Sequence, residues 1–361
     1  MSDKEVVMVG PLPMPLTGQS SAFKYFVENY KFKKRVFNYS FSKESTFSFL
    51  VKSVFFILKF ISYIMFNRCR IQSVYLTTSR TSSGFIRDFF VINTCKLLGI
   101  PVVNHLHGAD FVSFRNRTLF LKPFIDFTYR NINCSIVLSE SMKQQYDLYS
   151  GMRLEIVSNF FEEPSVKFEK KSTCGVLNIL YLSNIIYSKG IFHLIDAVKQ
   201  LNENGYKFML NIAGSPMGDE YMNAQDAASL FYDKTIGVDF IKYHGVALNS
   251  EKDKLLINAD VFCLPSFYKT EAQPISIIEA MASGCLIITT KHNYLTDLVS
   301  NNEGVVIEPE SVAEIKNALI FSIENPKVLN EVSNHNKTYA IEKYSSSNYL
   351  ERLSEIVTGR L

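Results

Sequence analysis

The chain has 361 residues, 47% of them hydrophobic and 20% charged, with 29 Phe, 19 Tyr and no Trp. That length exceeds one core of usual size, and the composition excludes disordered, collagenous and disulfide-dense classes. The net charge of +3 is unevenly spread: residues 1–130 carry 18 Lys or Arg against 7 Asp or Glu, whereas residues 131–361 carry 20 against 28. Such a split suggests that the first half meets an anionic surface.

The first ten residues lack the cationic start and long apolar run of a secretory leader and read as a strand. In the first half, strands are predicted at 6–9, 35–39, 73–77, 101–105, 135–138 and 154–157, with helical stretches between them such as 85–98, ended by Gly99. Residues 46–66 are dense in Phe, Ile and Leu but interrupted by Lys52 and Lys59. Inside a bilayer each lysine would cost about 2.5–3.5 kcal/mol. The segment is therefore expected to be an amphipathic helix packed on a sheet, with contact to a membrane surface as the second expectation. Residues 161–175 are polar and aperiodic, as a linker should be. Strands then resume at 177–182, 208–213, 240–243, 261–264, 286–289 and 305–307, with helices at 191–202, 276–283 and 312–324, and the last 35 residues read as wholly helical. This alternation predicts an α/β fold of two doubly wound parallel-sheet domains, residues 1–165 and 166–340. Ligands of open α/β sheets bind outside the carboxyl ends of the strands, which predicts a shared cleft. The cysteines, 69, 95, 134, 174, 263 and 285, form no Cys-x-x-Cys pair and no cluster with His. They read as reduced core residues of a cytosolic protein.

The most informative stretch runs from Leu264 to Thr290. A strand leads into a loop holding Glu271, a helix begins near Ile275 and carries Glu279, and Gly284 ends it. Both carboxylates can reach a ligand lying over the helix N-terminus, whose free N–H groups and dipole suit a diphosphate. Ionised carboxylates in turn accept strong hydrogen bonds from sugar hydroxyls. A second strand–loop–helix passage, residues 180–190, contains Ser183-Asn184 and ends in Lys189-Gly190, where a lysine can neutralise a departing diphosphate. After the first strand comes Gly10-Pro-Leu-Pro-Met-Pro-Leu-Thr-Gly18-Gln-Ser20. Its prolines stiffen an extended loop, Gly18 lets backbone approach a ligand, and Ser20 is suited to cap the next helix. It is not a Gly-x-Gly-x-x-Gly fingerprint, which argues against a classical dinucleotide enzyme. The fourth strand ends in Asn104-His105-Leu-His107-Gly108-Ala-Asp110. His105 and His107 are expected on opposite faces, so no metal pair is expected, and Asp110 suits either an acceptor contact or a helix cap.

These motifs resemble the retaining glycosyltransferases of family four, whose GT-B fold has two Rossmann-like domains facing a cleft. The signature there is Glu-x7-Glu followed by Ala-Met-Ala-x-Gly and a hydrophobic strand, matched here by Glu271, Glu279 and Ala280–Gly284. The resemblance implies that Glu271 lies by the donor sugar, Glu279 binds the ribose hydroxyls and Lys189 meets the diphosphate. It places Asn184 beside the phosphates, Gly245 near the base, Gly18 in a loop closing on the donor, His107 against the donor sugar, and residues 341–361 as a helix crossing back to the first domain. The chain departs from the family at Gln273-Pro274, where many members carry Phe-Gly, and at Ser183-Asn184, where Gly-Arg is usual. Pro274 donates no N–H and Asn184 brings no charge, which leaves Lys189 more of the burden.

The implied reaction is transfer from a nucleoside diphosphate sugar, with UDP favoured, to a lipid-linked saccharide or lipopolysaccharide acceptor. The absence of Asp-x-Asp implies that no metal or other cofactor is needed. The basic first half adds an anionic inner-membrane surface as a partner and no nucleic acid, with a cytoplasmic, peripheral location. The rivals are a nucleotide-sugar epimerase on the same fold, which would consume donor without acceptor, and a non-catalytic nucleotide-sugar-binding protein. A starch-type phosphorylase would need a pyridoxal-bearing lysine and a longer chain.

Overall fold

A computed structural model of the protein describes residues 4–13, 17–40, 46–163 and 175–359. The chain divides into two compact units, Met1–Asn159 with Ser347–Leu361, and Phe160–Ser346. The first unit contains β1 (Glu5–Gly10), α1 (Gly18–Asn29), β2 (Lys34–Asn38), α2 (Thr46–Asn67), β3 (Ile71–Thr77), α3 (Ser82–Leu97), β4 (Val102–His105), α4 (Phe111–Arg117), α5 (Lys122–Tyr129), β5 (Cys134–Val137) and β6 (Arg153–Ile156). The second contains β7 (Leu177–Leu182), α6 (Ile191–Glu203), β8 (Phe208–Ala213), α7 (Ala224–Thr235), β9 (Ile241–Tyr243), α8 (Asn249–Asn258), β10 (Val261–Leu264), α9 (Ile275–Ala282), β11 (Leu286–Thr290), α10 (Leu295–Leu298), β12 (Gly304–Ile307), α11 (Val312–Glu324) and α12 (Pro326–Tyr344). The last helix, α13 (Ser346–Thr358), belongs almost wholly to the first unit.

Each unit holds one six-stranded sheet, ordered β2-β1-β3-β4-β5-β6 and β12-β11-β10-β7-β8-β9, with every paired strand parallel. The sequence requires this: strands such as Glu5–Gly10 and Val261–Leu264 are apolar runs buried on both faces, which only a sheet covered by helices on both sides accommodates. Strand order reverses between β1 and β3 in one sheet and between β7 and β10 in the other. At such a reversal the helices leave on opposite faces, and the loops at the strand carboxyl ends open a crevice.

All twelve predicted strands are present, each within two residues of its expected bounds. Three local expectations need correction. The helical tail is broken at Ser345, whose backbone is extended (φ −63°, ψ 146°), while Phe161 N donates to Tyr344 O at 3.1 Å. The break lets α12 stay on α9 while α13 packs on the first unit, where Tyr349 Oη donates to Ala22 O at 3.3 Å. Cys69, expected in the core, is exposed, whereas Cys95, Cys134, Cys263 and Cys285 are buried free thiols. Helix α1 is capped by Thr17 and not by Ser20. Ser20 instead completes the reciprocal capping box, with Ser20 N donating to Thr17 Oγ1 at 3.1 Å and Thr17 N to Ser20 Oγ at 2.9 Å. Residues 164–174 of the predicted linker, with Cys174, and residues 14–16 of the proline loop lie outside the described residues.

Candidate functional site

In the second unit the motif residues gather where strand order reverses. The loop after β7 carries Lys189 and the loop after β10 carries Glu271, so adjacent strands deliver both side chains to the same end of the sheet. Lys189 Nζ lies 3.3 Å from Glu271 Oε2 and 5.5 Å from the centre of the Tyr268 ring. Ser266 Oγ donates to Glu271 Oε2 at 3.1 Å, and Glu271 is 8% exposed. Backbone fit brings the two loops together. Gly190 has φ +77°, and a Cβ there would stand 2.1 Å from Pro265 O, so only glycine allows the Lys189 turn to touch the Pro265-Ser266 turn. Phe267 N donates to Ser188 O at 2.7 Å across the same seam.

The Tyr187–Lys189 turn is held by Asp219, from the loop after β8. Its Oδ2 accepts from Ser188 N at 2.8 Å and from Ser188 Oγ at 2.6 Å, and its Oδ1 accepts from Tyr221 N and Met222 N. Burial alone would raise the Asp219 pKa, but the Ser188, Tyr221 and Met222 donors outweigh it and hold the carboxyl below its usual range. Asn184 stands at the carboxyl end of β7, its Oδ1 3.5 Å from Ser215 Oγ. Beside it, Gly214 (φ +150°) passes so close that a Cβ would lie 1.9 Å from Ser183 O. Gly245 follows β9 and accepts at its carbonyl from Gly214 N at 2.7 Å.

Helix α9 begins at Ile275 with Pro274 as its N-cap and no side-chain cap bond; of its first amides, Ile277 N donates to Pro274 O at 3.2 Å. Just over one turn on, Glu279 Oε1 accepts from Lys252 Nζ of α8 at 2.5 Å, the side chains being 14% and 29% exposed. Burial raises the Glu279 pKa, and Lys252 offsets only part of that rise.

In the first unit, β4 ends at His105. The His105 and His107 rings lie 4.0 Å apart, centre to centre, which corrects the expectation that they face apart: residues two positions apart along an extended chain share a face. His105 Nδ1 bonds the Tyr75 hydroxyl at 2.8 Å. Burial and the positive charge of Arg80 lower the His107 pKa to about 3, with Asn159 offsetting part of the shift, so the ring is neutral at physiological pH. Asp110 is the N-cap of α4 but makes no side-chain cap bond; Arg80 Nε donates to its Oδ1, and Arg117 lies 3.8 Å away. The Arg80 guanidinium crosses Gly108: a Cβ there would stand 2.3 Å from Arg80 Cζ. Gly18 opens α1 directly after the Thr17 cap. Among the described residues, no group of three or more His, Cys, Asp or Glu is placed to hold a metal ion.

Sequence reasoning missed Lys252, Asp219 and Arg80. Each acts on a motif passage from 27 to 31 positions away in the chain, a distance that carries no local periodicity.

Residues 165–339 match the model of the family described as Glycosyl transferases group 1. Over 65% of this chain and 61% of its own length, WcaL of Salmonella typhimurium, named as a colanic acid biosynthesis glycosyltransferase, is 26% identical. The alpha-monoglucosyldiacylglycerol synthase of Streptococcus pneumoniae is 24% identical over 76% of this chain and 64% of its own. The chain thus spans less than two thirds of the length of either relative. The family match and these named relatives support a transferase. Among solved structures, Anabaena Alr3699/HepE in complex with UDP and glucose is 14% identical and superposes with a TM-score of 0.71, covering 99% of this chain and all of that one. This likeness shows the fold: two parallel six-stranded sheets with GT-B neighbours, consistent with two Rossmann-like domains.

Proposed function

We propose that the protein is a retaining glycosyltransferase that takes a sugar from a nucleoside diphosphate donor, UDP above the others, and passes it to a saccharide or lipid-linked acceptor without a metal. The observation that carries this reading is the Lys189–Glu271 pair at the reversal point between β7 and β10, next to the uncapped start of α9 and to Glu279. A diphosphate fits that start: backbone N–H groups and the helix dipole accept its charge, and Lys189 is one loop away. As the bond to the anomeric carbon lengthens, negative charge grows on the leaving phosphate and positive charge on the sugar ring. Fixed donors at the phosphate lower the barrier, and the Glu271 carboxylate faces the cationic ring. Glu271 already carries Ser266 and Lys189 on one oxygen, which suits it to positioning and charge stabilisation and favours front-face attack by the acceptor hydroxyl. Glu279 would accept both ribose hydroxyls. His107, neutral at working pH, would hydrogen-bond the sugar without charging it.

The Anabaena neighbour is a complex with UDP and glucose, and the pneumococcal relative is named for a lipid product; both support the donor and acceptor chosen here. Four buried thiols without a disulfide fit a reducing, cytosolic setting.

The test is a thermal-shift panel with UDP, GDP, ADP and CMP, each with EDTA and with magnesium. Stabilisation by one diphosphate, unchanged by EDTA and lost in Lys189→Ala, is the expected outcome. A protein that no nucleotide stabilises, or that needs magnesium, would overturn the reading.

A further inference from the structure

The outer face of one helix layer in the first unit is built to lie on lipid. Strand order runs β2-β1-β3-β4-β5, so the connections from β2 to β3, β3 to β4 and β4 to β5 all travel in one direction. Right-handed crossovers then put α2, α3 and the α4–α5 segment on one side of the sheet, and α1 on the other. The contacts agree: α3 lies between α2 and α5 and touches both, and the Phe89 ring of α3 meets the Phe124 ring of α5 at 6.0 Å.

In a water-facing layer the outward residues would be polar. Here 14 of the 25 exposed large apolar side chains among the described residues lie on these helices and the α4–α5 connection. Phe55 is 67% exposed, Phe66 87% and Phe120 95%. Among its described side chains, helix α2 buries only the narrow stripe Phe56, Phe60 and Ile64, with Phe37 of β2 against the first two at 6.1 and 5.3 Å. Scattered exposed apolar residues need no explanation, but an array along three adjacent helices does.

Charge names the occupant. Residues 46–131 hold 11 Lys or Arg and only three carboxylates, Asp88, Asp110 and Asp126. Each carboxylate is paired with an arginine, Arg87, Arg80 and Arg115 respectively. Helix α2 itself has no acidic residue, Lys59 stands exposed on it, and Arg68 and Arg70 stand exposed in the turn that follows it. A protein partner would be expected to answer an apolar face with an apolar face and leave this excess of cations uncompensated. A bilayer bearing anionic headgroups answers both.

We propose that the α2–α3–α5 face docks on an anionic lipid bilayer, with α2 lying in the plane of the interface. By length and composition alone Ser48–Arg70 could cross a membrane. Its buried stripe on β2, and its place as the crossover between two strands of one sheet, hold it against the unit instead. This inference goes beyond the transferase reading and does not depend on it.

The experiment is sedimentation of the full chain with phosphatidylcholine vesicles, with and without phosphatidylglycerol. Two variants accompany the wild type: Phe55→Ser with Phe66→Ser and Phe120→Ser, and Lys59→Glu with Arg68→Glu. All these positions are exposed, and an unchanged melting temperature reports that each variant is folded. Wild type is expected to sediment with the anionic vesicles and to release as salt rises. The serine variant should lose about tenfold or more of the partitioning to both kinds of vesicle, and the glutamate variant should lose its preference for the anionic ones. Failure of the wild type to sediment, or sedimentation unaltered in both variants, overturns the proposal. So does a dimer seen by light scattering in the wild type, absent in the serine variant and formed without lipid, which would make the face a contact between copies. The nucleotide thermal shift, read on the same variants, should stay at its wild-type value, which separates failure here from failure of the donor site.

Discussion

Replacing Lys252 by methionine keeps the aliphatic stem of the side chain and removes its charge from Glu279. At 2.5 Å and an effective dielectric constant near 20 the gross attraction is about 6–7 kcal/mol. Most of that is cancelled by desolvation of two largely buried groups, and side chains 14% and 29% exposed keep some water, so about 1–2 kcal/mol remains. Burial already raises the Glu279 pKa and Lys252 pulls against it, so the methionine variant must raise it further. Accepting both ribose hydroxyls requires the ionised carboxylate, so UDP affinity falls as pH falls through this pKa, on a limb lying above the ordinary glutamate range. Calorimetric titration of UDP across pH should therefore show the acid limb displaced upward in Lys252→Met, with affinity at alkaline pH no lower than that of the wild type. An acid limb that stays in place, or moves down, would refute the argument. So would Glu279→Gln binding UDP with the wild-type pH profile, since then Glu279 does not read the ribose.

Gly190→Ala should lower stability by about 2–3 kcal/mol, combining a left-handed backbone with the clash on Pro265 O; a fall of about 5–10 °C in melting temperature is the readout. An unchanged melting temperature would mean the Lys189 turn can rearrange freely. His107 has its pKa lowered to about 3, so His107→Asn should leave the shape of the activity profile above about pH 5 unaltered while lowering its height. Loss of a limb between about pH 6 and 7 in that variant would show that the ring works as a charged acid.

The sheets were legible because parallel strands buried on both faces are written as short apolar runs, as in Val261–Leu264 and Leu286–Thr290, and nothing about their pairing contradicts that pattern. The motif loops were legible for a related reason: Glu271, Ile275 and Glu279 sit in one continuous strand–loop–helix passage, and Lys189-Gly190 ends another. What stayed hidden depends on contacts between passages. Asp219 gave no sign that it would hold the Ser188 turn, since the two meet only because β7 and β8 are neighbours. Lys252 lies 27 positions before Glu279 on a helix with no distinctive pattern. The break at Ser345 was equally silent, because a serine between two helical runs has no local reason to extend; the bond from Phe161 N supplies one. His107 misled for a different reason: residues two apart on an extended chain share a face, so the expected divergence from His105 misapplied the period-two rule, and the two rings lie side by side.

The two ion pairs in the second unit bear on how the proposed donor would be held. Lys189 is satisfied by Glu271, and Lys252 by Glu279, so no cation of these pairs waits unpaired. An arriving diphosphate competes with Glu271 for Lys189, and ribose hydroxyls compete with Lys252 for Glu279. Binding is then an exchange of partners, and each new contact is worth only its margin over the one it replaces. Under that reading moderate affinity would follow, and once the sugar had left, re-formation of both pairs would help to expel the nucleotide. The same exchange explains why a neutral Glu279 would be doubly harmful, weakening the grip on ribose and leaving Lys252 buried without its counter-charge.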